Sequence, residues 1–182
     1  MFLRSMLTLA GLLLASAIFA DDVVYRLDGR NTEIGFVGSK KDGKHDGGFK
    51  ELKGTVTVKD NDPTTAQFKV DIDTRSIFTD TAQLTGHLKS ADFFNVQKYP
   101  SAKFVSTKVE KKDGGKFEIH GKLTMNGVTK ELMIPATMEI SGPGLSLESN
   151  NWEINRHDWK ISYGAKQIDE KVKLTLKVTA PK

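Results

Sequence analysis

The segment at positions 171–180 alternates without a break: Val172, Leu174, Leu176 and Val178 stand against Lys171, Lys173, Thr175, Lys177 and Thr179. Successive side chains of an extended chain point to opposite faces, so the apolar groups fall on one side and the charges on the other. Only a strand with one face in a core and the other in water satisfies that pattern. The same period recurs along the chain. Phe68, Val70 and Ile72 oppose Lys69 and Asp71, while Phe117, Ile119, Leu123 and Met125 oppose Glu118, His120, Lys122 and Thr124. Leu132, Ile134, Ala136, Met138 and Ile140 share a further face. Turn chemistry separates the runs: Asp60-Asn61-Asp62-Pro63, Lys112-Asp113-Gly114-Gly115, Ser141-Gly142-Pro143-Gly144 and, strongest of all, the hairpin dipeptide Asn126-Gly127. Short strands at this spacing predict an all-β antiparallel fold.

Two stretches depart from the rhythm. Residues 39–48 are polar and rich in glycine, which predicts an exposed loop or a long hairpin tip. Between 76 and 94, Thr79 or Asp80 can cap a short helix whose apolar members, Leu84 and Leu88, lie four apart. About eight strands and one helix favour a closed up-and-down barrel, because closure removes exposed edges; a two-sheet sandwich is the alternative.

The chain opens with Arg4, an apolar run over positions 6–20 and small residues ending at Ala20 before Asp21-Asp22. That is the pattern of a secretory signal peptide over residues 1–20, cleaved after Ala20, with one domain over 21–182 in the periplasm or outside the cell. The 182 residues include no cysteine, so neither a disulfide framework nor an acylated cysteine is available, and the core alone must hold the fold. The 27 basic residues exceed the 23 acidic ones by only four and are scattered, which speaks against a nucleic-acid partner.

Catalytic patterns are sparse. There is no cysteine and no Gly-x-Ser-x-Gly turn for a nucleophile. His45, His87, His120 and His157 fall in no sequence-local metal-ligand spacing, so no metal site is expected. Asp71 and Asp73 share a strand face and could act as paired carboxylates, but a solvated outer face is the better account of them. The reading is therefore of a non-enzyme without a cofactor. An eight-stranded barrel with an apolar interior either fills itself with side chains or holds one small ligand.

Three segments carry a family resemblance. Ser76-Ile77-Phe78-Thr79 is followed by Gly86-His87-Leu88-Lys89-Ser90, Asp92-Phe93-Phe94, Tyr99-Pro100 and Phe104. Gly121 to Lys130 then reads G-x-L-T-x-x-G-V-T-K, and Asn155-Arg156-His157-Asp158-Trp159 precedes the alternating strand. In these the chain resembles the YceI-like family of exported lipocalin-like barrels. Leu84-Thr85-Gly86 stands where that family commonly has an Arg-Asp pair before the His-Leu. The resemblance implies a non-catalytic carrier whose apolar cavity takes a polyisoprenoid or similar amphiphilic lipid, such as an isoprenoid quinone. A homodimer and transient membrane contact stay open. The candidate lining residues are Phe49, Phe68, Val70, Ile72, Leu84, His87, Leu88, Phe93, Phe94, Phe104, Leu123, Ile134 and Trp159, with residues 84–94 closing one mouth. The competing reading is an envelope-stress or protein-interaction module with a filled barrel.

Overall fold

The alternating runs become strands of a single antiparallel sheet. The computed structural model describes residues 22–142 and 144–182, and the leader expected over 1–20 lies outside the described residues. In chain order the strands are β1 (Val23–Asp28), β2 (Thr32–Lys40), β3 (Gly43–Phe49), β4 (Leu52–Val58), β5 (Gln67–Asp73) and β6 (Ile77–Thr79). After helix α1 (Ala82–Lys89) come β7 (Ser101–Lys111), β8 (Lys116–Met125), β9 (Val128–Ser141), β10 (Gly144–Asn155) and β11 (Ile168–Pro181). Their order across the sheet is β1-β4-β5-β7-β8-β9-β10-β11-β2-β3-β6.

Eleven strands stand where eight were expected. Part of the difference is β3, in the segment expected as a loop or hairpin tip, and β6, just before the helix; three breaks in the chain, residues 29–31, 50–51 and 74–76, separate β1 from β2, β3 from β4 and β5 from β6. The breaks meet at one corner. A Cβ on Gly29 would run into the Lys50 carbonyl oxygen, so only glycine lets these two segments touch. Lys50 N donates to Ser76 O at 3.4 Å, Glu51 N to Ser76 Oγ at 3.0 Å, and Asp73 N to Glu51 O at 3.0 Å. At this corner the sheet turns sharply and curls back, with β4 paired to β5 and β3 to β6 on either side of it.

Local sequence explains most of the remaining geometry. Asn126 and Gly127 both have positive φ, 50° and 74°, the conformation that a tight two-residue hairpin requires, and they pair Met125 with Val128. Residues 39–48 are a hairpin rather than a loop: β2 and β3 pair from Ile34–Phe49 to Lys40–Gly43, leaving only Lys41 and Asp42 in the turn. The helix forms where expected, but its cap is Thr81, whose hydroxyl accepts from Leu84 N at 3.2 Å. Thr79 belongs to β6, and the Asp80 carboxylate turns to His45 instead.

The interior is densely filled at one end. Tyr25, Leu27, Val56, Val58, Leu145, Leu147, Val178 and Ala180 are all buried there. Progress along β11 toward its start changes this picture: Val178 and Ala180 are buried, whereas Leu176, Leu174 and Val172, on the same inner face, are only half-buried. Large aliphatic side chains that face inward yet keep exposed surface border a space.

Candidate functional site

That space is a cavity of about 350 Å³ inside the curled sheet, within the range of about 300–1,000 Å³ usual for small-ligand sites. Its wall can be followed across β2, β11 and β10 as successive ladder rows. Thr32 stands beside Val178, Ile34 beside Leu176, Phe36 beside Leu174 and Trp152, Gly38 beside Val172 and Ile154, and Lys40 beside Ile168. Eight residue steps along β2 correspond to about 26 Å of depth. The opposite wall comes from Phe68, Val70 and Ile72 of β5, Phe104 of β7, Ile119 and Leu123 of β8 and Ile134 of β9.

Two inward glycines let the wall curve. A Cβ on Gly47 would strike the Phe36 ring, and one on Gly121 would strike the Phe104 ring. Each phenylalanine ring therefore reaches over a glycine of a neighbouring strand, covering what it leaves bare.

One end is blind and the other is open. At the open end Ser39, Lys40 and His45 reach the cavity from the β2–β3 hairpin. His45 Nδ1 lies 3.0 Å from both carboxylate oxygens of Asp80, and Asp80 N donates to Asp46 O at 3.1 Å, which fastens the start of α1 to β3. Leu84 and Leu88, one helical turn apart, then face the cavity. Tight turns after the helix, with Phe94 N donating to Leu88 O at 3.0 Å, bring Phe93 and Phe94 onto the same rim. Phe94 meets Phe49 edge-on at 5.7 Å between ring centroids, and Phe49 meets Phe36 at 6.2 Å.

The segment between β10 and β11 forms the other side of the mouth, and Arg156 organises it. Its side chain is only 4% exposed. Nε donates to Asp169 O at 2.9 Å, Nη1 to Ile161 O at 2.7 Å and Tyr163 O at 2.9 Å, and Nη2 to Ile168 O at 3.0 Å. Burial pushes the guanidinium pKa down, while Asp169 and Glu170 oppose that shift. One cation thus ties together four backbone carbonyls of the segment.

Eleven of the thirteen residues expected at the cavity line it: Phe49, Phe68, Val70, Ile72, Leu84, Leu88, Phe93, Phe94, Phe104, Leu123 and Ile134. His87 and Trp159 do not. His87 is turned aside on α1, where its Nε2 lies 2.9 Å from Asp92 Oδ2 and its ring packs against Phe93 at 4.9 Å and Tyr163 at 4.8 Å. Trp159 is core, 2% exposed, with its indole N–H donating to Leu123 O at 3.0 Å. It occupies a 3₁₀ turn, Arg156–Trp159, where period-two alternation says nothing about direction. The expected lining leaves out Ile34, Phe36, Trp152, Ile154, Val172, Leu174 and Leu176, although the alternation of 171–180 places three of them on an inner face. The paired carboxylates are each occupied outside the cavity, Asp71 with Lys103 and Asp73 with Arg75, whose guanidinium holds the Asp73 carboxyl below its usual range.

Comparison with known proteins places this geometry. The YceI-like domain family matches residues 25–180. A protein YceI from Escherichia coli O157:H7 is 46% identical over 92 residues, which are 50% of this chain and 48% of that one, so the chain spans about half the length of the curated relatives of this kind that it matches. A UPF0312 protein from Photorhabdus laumondii is 39% identical over 138 residues, covering 74% of this chain and 70% of that one. Among solved structures, Burkholderia cenocepacia BcnA superposes with a TM-score of 0.74 at 20% identity, covering 81% of this chain and 94% of its own. A polyisoprenoid binding domain from Saccharophagus degradans superposes with a TM-score of 0.66 at 14% identity, covering 87% and 97%, so both show a shared fold. With its matched span running almost from the first strand to the last, the chain belongs to the YceI-like family.

Proposed function

We propose that the protein is a non-catalytic carrier that takes the hydrocarbon chain of a polyisoprenoid, or of a similar amphiphile such as an isoprenoid quinone, into the curled sheet. The observation that carries this reading is the half-buried aliphatic wall of Ile34, Val172, Leu174 and Leu176 around a cavity of about 350 Å³. Each CH₂ moved from water into such a space contributes about 0.8 kcal/mol, so a long unbranched or methyl-branched tail binds without specific polar contacts. The tail points toward Thr32 at the blind end, and the polar head stays at the mouth beside Ser39, Lys40 and His45. The polyisoprenoid-binding neighbour of the same fold supports the ligand class. The leader-like residues 1–20 fit a carrier that works in the periplasm or outside the cell.

The test is native mass spectrometry of protein purified from its own host, followed by solvent extraction of whatever it holds. One isoprenoid lipid per chain is the expected result. Repeated preparations at the bare protein mass, together with no binding of added polyprenol or quinone, would sink the proposal and leave a protein that acts through its surface.

A further inference from the structure

The outer face of the sheet carries a second constellation, separate from the cavity. Glu110 on β7 and Glu118 on β8 are direct cross-strand partners, and His120, two residues along β8, lies on the same face. Side chains so placed start about 5 Å apart at their Cβ atoms and can converge. Here they do: one ligand atom from each of the three lies within 4.8 Å of the others. His120 Nε2 is 3.6 Å from Glu118 Oε2 and 3.9 Å from Glu110 Oε2. Those separations are too long for hydrogen bonds. Although the imidazole as a whole is 37% exposed, its Nε2 is wholly buried and has no hydrogen-bond partner.

A buried ring nitrogen facing two carboxylates across such a gap matches the arrangement of an ion's ligands. Tetrahedral donors on bonds of about 2.1 Å stand about 3.4 Å from one another, close to the spacing seen. A cation already occupies the carboxylate side of this position. Lys112 Nζ lies 2.9 Å from Glu110 Oε2 and 2.9 Å from Glu118 Oε2, and Lys108 also contacts Glu110. These ammonium groups hold the Glu110 carboxyl down to about 2, and the Lys112 ammonium is in turn pushed up. Lys112 sits in the turn after β7 with 43% of its side chain exposed, so it can leave for water at small cost.

We propose that Glu110, Glu118 and His120 form a three-ligand site for Zn²⁺, in which the ion takes the place of the Lys112 ammonium and water fills the fourth position. An imidazole nitrogen with two carboxylates and an open position suits zinc, whereas magnesium and calcium favour oxygen alone. Sequence spacing could not reveal this set, because Glu110 joins the other two only through the β7–β8 ladder.

The test is titration of the untagged, metal-stripped protein with ZnCl₂, followed by calorimetry and by NMR of the imidazole groups, with melting curves to verify that every variant is folded. The expected result is one Zn²⁺ per chain, movement of the His120 signals with those of His45, His87 and His157 in place, at least a tenfold loss of affinity in His120→Ala, and tighter binding in Lys112→Met. Three outcomes would overturn it: no heat and no shift up to about 1 mM zinc, an affinity that His120→Ala leaves unchanged, or an affinity that Lys112→Met fails to raise.

Discussion

Arg156 shows how much one side chain can carry. Its four donated bonds span residues 161–169, and together they fix the segment that walls one side of the mouth. Replacing it with methionine keeps the apolar stem but leaves those carbonyls without their donors, at a cost of about 3 kcal/mol or more. For a chain of this size that lowers the melting temperature by roughly 10 °C. Arg156→Lys should recover little, since one ammonium cannot reach four carbonyls in the fork geometry of a guanidinium. A calorimetric scan settles it, and a Met variant melting within about 2 °C of the parent would mean that the carbonyls find water instead. From the sequence, Arg156 was visible only as part of a family motif. His87 and Trp159 illustrate the same limit, because their directions follow from a helix turn and a 3₁₀ turn rather than from alternation.

At the scale of elements, alternation and turn residues predicted β5, β8, β9 and β11 closely, since each has one wet and one dry face and a defined turn at an end. β3 was illegible for the opposite reason. Its sequence, Gly43 to Phe49 with three glycines, offers little side-chain packing of its own, and the strand exists because the Phe36 and Phe78 side chains on adjacent strands cover Gly47 and Gly48. The cap of α1 falls on Thr81, just past the two candidates the sequence offered, because Thr79 pairs within the sheet and the Asp80 carboxylate is held by His45. The helix also carries a removable weakness. A Cβ on Gly86 would meet nothing within 4 Å, and its φ is not in the left-handed region. Gly86→Ala should therefore stabilise the protein by about 0.5–1 kcal/mol and raise its melting temperature by about 2–4 °C. A fall in melting temperature would show that the helix must yield to let the mouth work or to accommodate a neighbour.

For the whole molecule the decisive property is that the sheet curls around more space than its side chains fill. No pattern of inward-facing residues reports this: Val172, Leu174 and Leu176 would alternate identically in a solid core and around a hollow one. The difference lies in the radius of the curl, which the corner at residues 29–31, 50–51 and 74–76 and the glycines under Phe36 and Phe104 together set. Gly38 offers a way to test hollowness by sign alone. It lies on the inner face of β2 between Phe36 and Lys40, and a Cβ added there would meet nothing within 4 Å. In a filled core, Gly38→Phe would cost about 1–3 kcal/mol through overpacking. In a hollow one the ring enters free space, and a strand position exchanges glycine for a residue that favours strands, so the ligand-free protein should hold or gain up to about 1 kcal/mol. The same ring obstructs the passage from mouth to blind end, so lipid binding should fall at least tenfold. Denaturant unfolding of the stripped protein, set beside a polyprenol binding assay, reads both effects. A variant that is destabilised and still binds would refute the cavity as the path of the chain.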